Sequence, residues 1–200
     1  EECVTAHKDP GRAEAALREA LVVGEVAFGR HARELNLPLY ALAAACLEEA
    51  PDEAVSLAQR LMTNLRQGTP RIEGEPTSTQ GAALLASAVE RTEPWKEAHL
   101  AALLEFREAA LEGGDQEALG LAENQLGLHF GRAGDRARAA AHFDRAIELR
   151  TATFGRRSVE TLESRYNRAT YRDDTQPLTE VEETYGEIIE TLSATPAARA

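Results

Sequence analysis

Two hundred residues with 34 acidic against 22 basic side chains carry a formal charge of −12, which repels phosphate backbones and argues against direct nucleic-acid binding. Ala, Glu, Leu and Arg dominate, aromatics are 5%, and no stretch alternates apolar with polar long enough for a strand, so the chain reads all-α. No run of about 18 apolar residues is present to span a bilayer, and Cys3 and Cys46 have neither disulfide nor zinc spacing, which suits a reducing, cytoplasmic setting without membrane contact.

In chain order, the pattern predicts a partial hairpin over 1–27, whose second helix occupies 10–27. Complete hairpins follow over 33–66, 79–111, 115–152 and 157–193. Pro10, Pro51, Pro94, Asp135 and Pro177 each mark the opening of a second helix, at successive spacings of 41, 43, 41 and 42. Proline suits the first helical turn because its missing N–H would have had no partner there, and Asp caps the free N–H groups. Between 67 and 78, QGTPRIEGEPTS breaks the pattern with two prolines and two glycines and reads as an exposed loop.

The segment Arg12–Arg30 lies within Arg136–Arg156, placing Arg12 on Arg138 and Phe28-Gly29-Arg30 on Phe154-Gly155-Arg156 at an offset of 126, three times 42. The same offset puts residues 1–8 on the end of a first helix, so the chain reads as opening inside a repeat and as N-terminally truncated. Arg supplies nearly all the positive charge, Lys8 and Lys96 being the only lysines, which points to a GC-rich bacterial genome.

The most regular unit is LAENQLGLHFGRAGDRARAAAHFDRAI, 121–147. Leu126 and Phe130 are neighbours on one helix, Ala139, Phe143 and Ala146 form a stripe on the next, Gly127 permits close approach, and Gly134 suits a left-handed helix end. These residues fall on the L-G-x-x-Y and A-x-x-x-F positions of the tetratricopeptide repeat, which the unit resembles. It departs from that pattern at the tryptophan position, held by Glu123, and at the proline position, held by Thr151. The spacing of 42 is similar to the kinesin-light-chain subclass, which also occurs in bacterial signalling and transcription regulators. The resemblance implies a right-handed α-solenoid of antiparallel hairpins whose first helices line a concave groove.

In that register one groove position selects Tyr40, Ala82, Asn124 and Tyr166, each 42 residues from the next. Eight residues later the same rule selects Glu48, Glu90, Arg132 and Asp174, a mostly acidic edge that implies a partner bearing Lys or Arg. Leu128, Asn167 and Thr170 complete the candidate set. No GxSxG, HExxH, Walker or GxGxxG element occurs, and His7, His31, His99, His129 and His142 form no i, i+4 pair, so no catalytic residue, metal or cofactor is expected. The expected function is protein or peptide binding within a larger protein. Two alternatives are a ligand- or peptide-sensing regulatory domain and a self-association module that forms homo-oligomers through its ends.

Overall fold

The computed structural model describes residues 10–67, 74–171 and 178–194, and every regular element among them is helical. α1 (Pro10–Phe28) leads through a 3-10 turn (Arg33–Leu35) into α2 (Asn36–Cys46) and α3 (Pro51–Leu65). There follow α4 (Ser78–Thr92), α5 (Glu97–Glu112), α6 (Gln116–Arg132), α7 (Arg136–Phe154), α8 (Val159–Thr170) and α9 (Leu178–Ala194). The chain divides within α5, between Ala109 and Ala110, into two compact units. The start of the partial first hairpin, part of the 67–78 loop and Pro177 lie outside the described residues.

In the first unit, α1, α2, α3 and α4 pack in succession. Leu39, Leu42 and Leu61 are sealed from water in a core shared with Leu21, Leu35, Cys46, Ala54 and Ala88, and each leucine stabilises the fold by about 1.5–3 kcal/mol through burial. Pro51 occupies the first turn of α3. Thr77 and Gln80 form a capping box on α4: the Gln80 N–H donates to Thr77 Oγ1 at 2.9 Å and the Thr77 N–H to Gln80 Oε1 at 2.8 Å.

Two features of this unit differ from the sequence reading. Pro94 does not open a helix; it lies with Trp95 in a turn, where Trp95 takes φ 65°, and α5 begins at Glu97. The Trp95 N–H donates to Nδ1 of His99, 3.3 Å away and buried, so a side chain further along the helix supplies the acceptor near its start. The described end of the 67–78 segment is not an open loop either. Pro76 is buried, and Glu75 is held by both guanidinium arms of Arg33 at 2.8 and 2.9 Å.

In the second unit, Asp115, Asp135 and Ser158 cap α6, α7 and α8, accepting N–H bonds from Ala118 (3.0 Å), Arg138 (3.0 Å) and Thr161 (3.2 Å). Arg138 also donates its side chain to Asp135, and these bonds hold that carboxyl below the usual carboxylate range. Gly134 has φ 80°, and the Asp135 N–H reaches back to the Phe130 carbonyl at 2.9 Å, closing the end of α6. The α6–α7 hairpin interlocks as its sequence implies. Ala139, Phe143 and Ala146 are fully buried, and a Cβ on Gly127 would lie 2.6 Å from the Phe143 ring.

Candidate interaction surface

The candidate residues of the first unit are not equivalent. Tyr40 is half-buried and packs on the core cluster that includes Ala88 of α4. Ala82 is fully buried. Glu48 is exposed but engaged by both arms of Arg91, at 2.5 and 2.9 Å, while Glu90 is half-buried. A cavity of about 360 Å³ opens in this unit over Met62, Leu85, Val89 and Ala102, with the Arg66–Glu105 ion pair in its lining.

In the second unit, Asn124 is a correction to the groove reading: it is completely buried and bonds to the following first helix. Its Oδ1 accepts from Ser164 Oγ at 3.1 Å and from Asn167 Nδ2 at 3.2 Å, which also places Asn167 in the interior. A polar residue at a nominal groove position therefore joins α6 to α8. Leu128 is half-buried, Arg132 is exposed, and Thr170 turns its hydroxyl back onto the Tyr166 carbonyl at 2.9 Å. Asp174 lies outside the described residues.

Tyr166 alone of its row is largely exposed, at 46%. It stands edge-on to Tyr185 of α9, with ring centroids 5.6 Å apart. Beside it Val159, Leu162, Glu163 and Ile188 complete a cavity of about 190 Å³. Val159, at 68% exposed, leaves the apolar rim of this cavity open to solvent. Polar anchors hold the two walls in place. Arg150 of α7, 4% exposed, donates to the Glu160 carbonyl (2.7 Å), Ser164 Oγ (2.9 Å) and Glu163 (2.9 Å) of α8. Arg165 of α8 and Arg156 both pair with Glu187 of α9, and Arg165 in particular keeps that carboxyl below its ordinary range.

A second polar arrangement escaped the sequence reading. Glu123 is buried at the position where the repeat pattern has tryptophan, and its Oε2 accepts from His142 Nδ1 at 2.7 Å. His142 stacks on Phe130 at 5.2 Å, and Arg138 covers the same ring at 4.2 Å. The departure at Glu123 was the available signal, since a carboxylate in a helix-packing position requires a partner.

Next to this group His129 is 5% exposed, and burial, with Arg138 nearby, pushes its imidazole below its ordinary value of 6.5. The fold therefore prefers neutral His129, whereas the unfolded chain takes up its proton near the ordinary value. The contribution is present above about pH 6.5 and lost as pH falls towards the folded-state value. Denaturant midpoints should drop between pH 7.5 and 5.5, and His129→Gln should shrink that drop; an identical pH dependence in the variant would exclude His129 as a source.

Among the described residues no group of three or more His, Cys, Asp and Glu is arranged to hold a metal ion. No helix among them is long and apolar enough to cross a membrane. Cys46 is buried and its thiol is pushed up by desolvation, which disfavours the nucleophilic thiolate.

No family model matches the chain, and no curated protein matches it. Solved structures do. A kinesin-light-chain protein of Podosopora anserina with nearly identical TPR-like repeats aligns at TM-score 0.73 and 13% identity, covering 94% of this chain and 90% of that one. A substituted form of it gives 0.68 at 13%, covering 92% and 85%. BtubC (BKLC) of P. vanneervenii gives 0.69 at 14%, covering 96% and 74%. Together with the capped, interlocked hairpins, these alignments establish that the chain has the tetratricopeptide-like helical-repeat fold.

Proposed function

We propose that the chain is a protein-binding scaffold of the kinesin-light-chain-like kind, and that a partner segment seats an apolar side chain in the α8–α9 cavity beside Tyr166. One observation carries this reading: a half-exposed tyrosine on an anchored wall adjoins an apolar cavity of about 190 Å³. Small-molecule sites usually occupy about 300–1,000 Å³, so the volume suits one side chain of a larger partner. Tyrosine offers wide contact area and a polar tip at low entropic cost, which is why it is frequent among residues that dominate binding energy. The regulatory-domain alternative draws on the first unit's cavity of about 360 Å³, which falls at the lower edge of the small-ligand range.

A photo-crosslinking residue at position 166 should capture a discrete partner that the same residue at exposed Thr151 does not. With the captured partner, Tyr166→Ala should weaken affinity about 30-fold, the effect of a hot-spot tyrosine, while loss of the edge contact with Tyr185 lowers Tm only slightly. Equal capture at both positions, or unchanged affinity, would reject the site. Tyr40→Ala should instead lower Tm, because its ring is part of the first unit's packing.

A further inference from the structure

The first unit's cavity of about 360 Å³ is a crevice floored by Met62 of α3, Leu85 and Val89 of α4, and Ala102 of α5, all four buried. It stays open because α5 meets the other two helices with alanine: Ala98, Ala101 and Ala102 line its wall, and none is large enough to fill the gap. Gln59 and Thr63, both exposed, stand at the rim. Thr63 gives its hydroxyl hydrogen to the Gln59 carbonyl at 2.9 Å, so it meets a ligand only as an acceptor.

Charge and volume define the occupant. The formally charged residues of the lining are Arg66 and Glu105, and they neutralise each other. A charged ligand would have to part that pair or lay its own charge against alanine and leucine, and the chain's charge of −12 repels anions besides. A dry apolar cavity of about 150 Å³ takes benzene, so this one accommodates roughly 14 non-hydrogen atoms. We infer that the crevice binds an uncharged, fused-ring aromatic molecule carrying one hydrogen-bond donor. The site goes beyond the scaffold reading and is independent of what the Tyr166 surface holds.

The probe is N-phenylnaphthylamine, a neutral fused-ring amine with one N–H whose emission rises on leaving water. Titrated into the full chain, it should bind saturably at a single site. Ala101→Phe and Ala98→Phe fill the crevice from exposed positions of α5; each should weaken the probe at least tenfold while keeping the wild-type Tm. Anilinonaphthalene sulfonate, the same rings with a negative charge added, should bind at least tenfold more weakly than the amine, and Glu105→Gln, by removing the carboxylate that neutralises Arg66, should narrow that gap. Equal affinity for the two probes, or a gap that Glu105→Gln leaves intact, would overturn the charge assignment. Emission that rises without saturating, or saturable binding untouched by either phenylalanine, would overturn the site; loss with Val159→Arg instead would move the probe to the α8–α9 cavity. A photo-crosslinking residue at position 98 that captures a discrete protein, with no saturable probe binding, would give the crevice to a partner's side chain. Crosslinking at position 166 is unaffected by any of these outcomes, so the two sites stand or fall separately.

Discussion

Phe143→Ala is expected to cost about 3–5 kcal/mol, among the largest effects available in this chain. The ring is fully buried, stacks against Tyr171 with centroids 6.0 Å apart, and fills the space that Gly127 leaves open on α6. Gly127→Ala tests the same contact from the other side. Helix propensity alone favours alanine by about 1 kcal/mol. Here, however, a Cβ would sit 2.6 Å from ring carbons that cannot retreat, and overpacking of this kind costs about 1–3 kcal/mol. A net loss is expected despite the better helix former. Gly127→Ala with Phe143→Leu should be more stable than the summed single effects, because the smaller side chain vacates the position the new methyl needs. Denaturant midpoints of the four proteins decide the matter: strict additivity would show that the two residues do not press on each other. Gly81 is a useful contrast, since its nearest obstacle is the flexible end of Met62 at 2.8 Å; Gly81→Ala should be far milder.

Arg150→Met should lower stability by about 2–4 kcal/mol. The guanidinium is buried and gives Nη1 bonds to a backbone carbonyl, a hydroxyl and a carboxylate on α8. Hydrogen bonds from charged groups contribute about 1.5–3 kcal/mol each, but they are not additive, and Glu163 is half-exposed and regains water when released. Methionine keeps much of the volume, so the loss reports on the polar anchor rather than on a cavity. Protection of α8 amides against hydrogen exchange should fall more than that of α6. Uniform loss across both helices would mean that Arg150 supports the unit as a whole and does not specifically clamp α8.

The helical stack was readable because its signals are local. Asp135, Gly134, Gly127 and the Ala139–Phe143–Ala146 stripe act within one hairpin, and composition plus spacing suffices to find them. The 126-residue correspondence even survives in backbone detail, with Gly29 at φ 92° and Gly155 at φ 91°. What the sequence did not disclose depends on neighbours further away. Asn124 and Tyr166 share a register, yet one is sealed by the following first helix and the other is not, and nothing in either residue's local context announces the difference. Pro94 misled for another reason: proline permits a helix start without requiring one, and α5 begins at Glu97, beyond a turn whose Trp95 N–H is taken up by His99. Glu123 and His142 lie nineteen residues apart in sequence and become partners only when the hairpin closes.

The Asn124–Ser164–Asn167 contact works as a key cut for one lock. Apolar helices can slide past one another by a turn at small cost, because one greasy surface resembles the next; an amide whose acceptor is met by two donors at a single setting cannot. Asn124→Leu should cost about 1–3 kcal/mol by stranding the buried Asn167 amide, and adjacent helices would begin to sample alternative alignments, seen as broadened or doubled resonances in α8.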